Sequence, residues 1–270
     1  MRAVSGRLLL VGAGKMGGAM LDRWLESGLD PARTAVLDPF LDESRAAALA
    51  GQGVTVHRNP PPETFDLLII AVKPQSMAET LKIVAPLAAP DALVVSIAAG
   101  VRLATLAEAF GKDAAVVRVM PNTPAQVGKG MSVAVVAGSL APEKRSAVEA
   151  LLDVVGESAW VEDEALIDAV TAVSGSGPAY VFLLAECLAK AAVEAGLPPD
   201  LAARLARQTV VGGGALLEAS PDSAAKLREN VTSPNGTTAA ALAVLMEPDG
   251  LERLLVKAVE AAHKRSVELG

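Results

Sequence analysis

The stretch that most limits what this chain can become is RLLLVGAGKMGGAM, Arg7–Met20, where the apolar run LLLV enters Gly12-x-Gly14-x-x-Gly17 and then a helical pattern that ends at Gly28. Strand, glycine turn and helix in that order form a dinucleotide-binding fingerprint. Gly12 permits the tight turn, Gly14 lets the backbone approach a pyrophosphate, and Gly17 lets the helix lie close on the sheet. The loop from Gly12 through Ala13, Gly14, Lys15 and Met16 to Gly17 is expected to hold the pyrophosphate with backbone amides. About 20 residues further on, TAVLD closes a second strand with Asp38. An acid there accepts hydrogen bonds from a ribose 2′-hydroxyl and repels a 2′-phosphate, so Asp38 favours NADH; Arg45, nearby in the chain, complicates that preference.

Up to about residue 160, β-rich runs alternate with helical patterns: LLLV, TAVLD, VTV, DLLIIAV, ALVVSIA, AAVVRVM, SVAVVA and SAWV. Such alternation implies an α/β fold, a doubly wound and mostly parallel sheet. After Glu162 the β signal stops. The division expected is a dinucleotide-binding domain over residues 1–162 and an all-α domain over 163–270, its helices punctuated by SGSGP, GLPP, SP, TSPNG and EPDG. That second half is rich in Ala, Leu and Val and poor in the aromatic residues that would fill a private core. Helices of this kind hide against a partner subunit.

A formal charge of −7 and a pI near 5.0 argue against a nucleic-acid surface. No apolar run reaches the roughly 18 to 20 residues of a membrane helix, and the N-terminus turns glycine-rich too early for a signal peptide, so a cytoplasmic protein without a membrane partner is expected. The single cysteine, Cys187, reads as a buried spacer in an apolar helix. His57 and His263 read as surface residues, and neither a catalytic triad nor a metal-ligand spacing is present.

Ligands of an open α/β sheet bind beyond the carboxyl ends of its strands. The segments that follow strong strands are AVKPQ (Ala71 to Gln75), SIAAG (Ser96 to Gly100) and RVMPNTPAQVGKG (Arg118 to Gly130). Lys73 can reach a ligand or solvent, and Asn122 and Thr123, between two prolines, can bond a ribose or a substrate. Near the other end, VTSPNGTT (Val231 to Thr238) sets Ser233, Thr237 and Thr238 at a helix start, where free N–H groups and the helix dipole can hold a carboxylate; an ordinary N-cap is the alternative. With so few acid–base side chains, reduction of a carbonyl is poorly served. A cyclic imine asks for less, since its nitrogen can arrive protonated and accept hydride at carbon.

GAGKMG, AVKPQ, RVMPNTP, SGSGPAY and above all LRENVTSPNGTT make the chain resemble the pyrroline-5-carboxylate reductase family over nearly its whole length. The resemblance implies a Rossmann domain, a helical dimerisation domain, and reduction of 1-pyrroline-5-carboxylate to L-proline with NADH or NADPH, the latter common in the family. It implies that Ser233, Gly236, Thr237 and Thr238 hold the substrate carboxylate and ring nitrogen. Thr238 and Ser233 are then the catalytic candidates. Met120, Asn122 and Thr123 would line the pocket, Ala71, Lys73 and Ala98 would touch the cofactor, and Asn59 would face the adenosine. Ser174 to Tyr180 would lie at a homodimer interface, and dimers could assemble further, as in a ring. Asn235 stands where the family commonly has Gly, a change a left-handed turn tolerates. A hydroxyacid dehydrogenase of similar layout would need Lys190, which sits too far along its helix, and a sensor would bind NAD(P)H without turnover.

Overall fold

The structure, a computed structural model, describes residues 3–111 and 114–270. Its strands are β1 (Leu8–Val11), β2 (Thr34–Leu37), β3 (Thr55–His57), β4 (Phe65–Ile70), β5 (Ala88–Ser96), β6 (Ala115–Met120), β7 (Gly130–Val136) and β8 (Gly156–Trp160). They form one sheet in the order β3-β2-β1-β4-β5-β6-β7-β8. Every neighbouring pair is parallel except β6 and β7. Helices α1 (Lys15–Glu26), α2 (Glu43–Gly51), α3 (Met77–Val84), α4 (Leu103–Phe110) and α5 (Pro142–Asp153) alternate with the strands. Each apolar run expected to be a strand is one.

Strands β1 and β2 are buried at every position because a parallel sheet is covered on both faces. Alternate side chains therefore feed two cores. Leu8 and Leu10 join Met20, Trp24 and Val148 on one side; Leu9 and Val11 join Leu68, Leu81 and Leu106 on the other. The strand order reverses between β1 and β4, which opens a crevice at their carboxyl ends. Backbone bonds from Gly12 N–H to the Leu37 carbonyl (2.9 Å) and from Ala71 N–H to that of Val11 (2.8 Å) fix the rim of that crevice.

After β8 come α6 (Leu166–Val170), α7 (Gly177–Glu194), α8 (Pro199–Ala219), α9 (Ala224–Asn230), α10 (Thr237–Leu245) and α11 (Leu251–Leu269). SGSGP is not an open break between helices, as its glycines and proline suggested. A π-helical turn, Thr171–Gly175, carries the chain from α6 into α7, and Pro178 then falls in the first turn of α7, where its missing N–H costs nothing. The chain divides into two compact units, Met1–Gly175 with His263–Gly270, and Ser176–Ala262. Hence α6, the π turn and the end of α11 belong with the sheet.

Within the second unit α7 buries none of its residues, and Phe182, Leu183 and Leu184 stand in the open. Cys187 is likewise exposed rather than buried, because the face it occupies is bare. A second expectation also needs correction. The helical run Leu166–Glu194 does have the length and mean hydropathy, 1.3, of a membrane span, although scattered Ser, Gly and Thr interrupt its apolar runs.

Candidate active site

Gly12 has φ +87°, and a Cβ there would lie 3.0 Å from the Ala71 carbonyl oxygen. At Gly17 a Cβ would lie 2.3 Å from the Gly12 carbonyl oxygen, so α1 can pack this closely only without a side chain. Gly14 faces open space. It is also the N-cap of α1, which no side chain caps, so the first N–H groups of the helix remain available to an anion. Lys15 is exposed, whereas Met16 turns its side chain into the core and can offer a ligand only its backbone.

Asp38 is held by two backbone N–H groups. One carboxylate oxygen accepts the Ala13 N–H at 2.9 Å, the other the Phe40 N–H at 2.9 Å. The side chain is thus fixed against the glycine loop, with a lone pair left on each oxygen for hydroxyl donors. Around it lies a cavity of about 750 Å³ that brings together Gly12, Gly14, Asp38, Asn59, Ala71 and Lys73. Phe40, Arg58 and Ile83, which sequence reasoning passed over, line it too. Arg58 had a usable signal in its position directly after β3. Its guanidinium donates to the Pro39 and Leu41 carbonyls and pairs with Glu43 at 2.7 Å, and Arg45 is bound by Asp22. Both arginines near the end of β2 are therefore held by carboxylates. An open glycine face, an uncapped helix start and a carboxylate with spare lone pairs fit an adenine dinucleotide.

Beyond β5, Ala98 is buried and its N–H lies 3.4 Å from the Ser96 hydroxyl. Beyond β6, Met120 packs against the sheet and Thr123 is exposed at the start of a 3₁₀ turn. Asn122 spends its amide on the protein itself. Its nitrogen donates to the carbonyl and the hydroxyl of Ser174, both at 3.2 Å, and its oxygen accepts the Met131 N–H at 2.9 Å.

In the second unit, Asn235 adopts φ +57°, the left-handed geometry its turn requires. Gly236 is the N-cap of α10, and no side chain caps that helix. The alternative of an ordinary N-cap at Ser233, Thr237 or Thr238 is therefore not what forms. A Cβ on Gly236 would lie 2.5 Å from the Ser233 hydroxyl, so glycine is what lets that hydroxyl sit over the helix start. Thr238 is half-buried, and Ser233 and Thr237 are exposed. Opening N–H groups and three hydroxyls can together bind a carboxylate and hydrogen-bond an adjacent nitrogen, a hydroxyl oxygen accepting from that nitrogen when it is protonated. Lys190 is bound to Glu186 at 2.7 Å, and that hydrogen bond and charge raise its pKa, so it stays an ammonium. His263 is exposed and His57 half-buried. Among the described residues no cluster of three His, Cys, Asp or Glu side chains could hold a metal ion.

A parallel sheet with this loop at its switch point, joined to helices that offer an anion-binding start, defines a nicotinamide-dinucleotide-dependent oxidoreductase. Residues 164–269 match the family model for pyrroline-5-carboxylate reductase dimerisation, and residues 7–100 that for NADP oxidoreductase, coenzyme F420-dependent. The pyrroline-5-carboxylate reductase of Pseudomonas aeruginosa is 38% identical over 97% of this chain and 96% of its own. The chain belongs to the pyrroline-5-carboxylate reductase family. Two solved structures agree: that of the Coxiella burnetii enzyme (TM-score 0.91, 31% identity, 99% of both chains) and that of Plasmodium falciparum pyrroline carboxylate reductase with NADP bound (TM-score 0.83, 27% identity, 98% of both chains). The dimerisation domain over 164–269 contains this bare, membrane-length helix, so a second subunit rather than lipid can cover its apolar face.

Proposed function

We propose that this protein reduces 1-pyrroline-5-carboxylate to L-proline, with NADH or NADPH as coenzyme. The observation that carries this reading is the uncapped, hydroxyl-rich start of α10. In a chain that also has a dinucleotide loop, it offers what a small imino acid needs: donors for a carboxylate and a hydroxyl for a ring nitrogen. Residues 1–162 hold the coenzyme and residues 163–270 supply the substrate site and the homodimer contact. We propose further that dimers are the building blocks of a larger ring and that the protein works in the cytoplasm.

Gly12, Ala13, Gly14, Lys15, Met16 and Gly17 cradle the pyrophosphate, Asp38 accepts from the adenosine ribose, and Asn59, Ala71 and Lys73 line the same crevice. Ala98, Asn122 and Thr123 border the nicotinamide half. When bound, the reduced nicotinamide supplies a hydride to the imine carbon. The N–H groups that open α10, with Ser233, Gly236 and Thr237, hold the substrate carboxylate, and Met120 packs against the ring. Thr238 Oγ1 hydrogen-bonds the ring nitrogen, which carries a proton as the iminium and keeps it as the amine. Orientation does most of the work, as expected where a strong acid is missing from the site.

The test is the initial rate of NADH and NADPH oxidation with 1-pyrroline-5-carboxylate, with proline quantified as product. Turnover to proline is the expected result. Folded protein that binds coenzyme but shows no turnover would overturn the reading.

A further inference from the structure

The proposed chemistry leaves one set of buried charges unused. Arg118 on β6 is 3% exposed and pairs with Glu164 at 2.7 Å. The same Glu164 oxygen accepts the Leu103 N–H at 2.8 Å, at the start of α4. One turn along, Asp168 is buried; it accepts the Ser266 hydroxyl at 2.7 Å and lies 4.0 Å from the Arg102 guanidinium. Arg102 also donates to the Gly270 carbonyl at 3.3 Å, and a Cβ on Gly100 would lie 3.0 Å from the Leu269 carbonyl oxygen.

All these groups grip one short segment, Ile97 to Leu103, that links β5 to α4 and carries Ala98. Its start is tied by the bond between Ala98 N–H and Ser96, its middle is covered by the end of α11, and its end is tied by Glu164. Arg118 lies opposite Ser96 in the register of β5 with β6, so the ion pair sits at the carboxyl edge of the sheet where ligands bind. In strand order β5 lies beyond β4, on the side of the switch point away from β2 and Asp38. The segment therefore borders the nicotinamide half of a dinucleotide whose ribose meets Asp38.

We propose that Glu164 is a positioning residue for the coenzyme: by bridging Arg118 and the Leu103 N–H it sets the Ile97–Leu103 segment against the nicotinamide half, with the end of α11 as a second brace. The proposal rests on NAD(P)H being this protein's coenzyme. Two substitutions separate positioning from charge balance. Glu164→Asp keeps the charge but withdraws the carboxylate by about 1.5 Å, so one oxygen no longer serves both donors. Glu164→Gln keeps a bridging oxygen but leaves the buried guanidinium facing a neutral amide, which lowers thermal stability.

The measurement is coenzyme Kd by fluorescence titration on purified, full-length protein, together with Tm. Glu164→Asp raises Kd about 10-fold and Glu164→Gln less than about threefold although its Tm falls, since displacement of a binding segment by an ångström is felt strongly. The reverse order, or Kd changes that simply follow Tm, would overturn the proposal. Should Glu164→Asp fail to fold, Ser266→Ala decides: it removes one brace and raises Kd about threefold, and an unchanged Kd counts against the proposal. Wild-type protein that binds neither NADH nor NADPH would defeat the coenzyme reading itself, a different outcome from wild-type binding that the variants leave untouched.

Discussion

The sheet-bearing unit and the helical unit draw on similarly apolar sequence and use it in opposite ways. In the first, β1 and β2 are buried at every position and Trp24 is 1% exposed. In the second, no residue of α7 is fully buried and Phe182 is 68% exposed. A run of Val and Leu thus reports that a surface will be covered and leaves open what covers it. For the strands the cover is the chain's own helices; α7 lies in the dimerisation domain, where a second subunit can supply the cover.

The contrast breaks most visibly if Trp24 is not a private-core residue. Trp24→Ala empties a closed site and removes the bond from Nε1 to the Leu151 carbonyl, at 2.8 Å, and should cost about 3–5 kcal/mol in urea denaturation. Thr238→Ala asks whether chemistry is divided between the units as packing is. It should lower kcat/KM about 10- to 1000-fold, on the order of 1.5–4 kcal/mol, with coenzyme Kd nearly unchanged. Weakened coenzyme binding would mean the division is false.

Phe182→Asp puts a charge on the bare face and should weaken the dimer by about 2 kcal/mol, read by sedimentation equilibrium. A dimer of undiminished strength would move the interface away from this part of α7. Asp38→Ser is the counterpart of the Thr238 test. The NADPH-to-NADH ratio of kcat/KM should rise about 10-fold. Because the carboxylate also holds the Ala13 N–H, binding of both coenzymes should weaken; an unchanged ratio would leave Asp38 only that loop-holding role.

The smallest effect concerns the N-cap of α2. Asp42 has its pKa lowered by the Ser44 hydroxyl and by the N–H groups of Arg45 and Ser44. A carboxylate with a depressed folded-state pKa stabilises the fold above its unfolded value, about pH 4, and loses that contribution as pH falls through the lower folded value. The stability difference between wild type and Asp42→Ala should therefore hold steady from pH 7 to 5 and shrink towards pH 3. A difference that grows on acidification would contradict the capping role.

What the sequence disclosed was local. The central strands lay in contiguous apolar runs, the glycine turn in a fixed spacing, and the start of α10 in a motif whose hydroxyls adjoin it. What it withheld depended on distant partners. Nothing around Asn122 announces that its amide will be spent on Ser174, nor around Glu164 that it will meet both Leu103 and Arg118. The π turn was hidden for a different reason: it keeps a helical pattern, and SGSGP carries the same residues a true break would. The apolar neighbours of Cys187 do not imply its burial, because those neighbours are themselves exposed.

A helix with no fully buried residue in its own chain also makes the protein's integrity a matter of mass action. Each tenfold dilution of such a dimer removes about 1.4 kcal/mol from the balance that keeps its subunits together. The melting temperature should then climb with protein concentration, and a dilute stock should lose activity by a route that no coenzyme can prevent and that reconcentration restores.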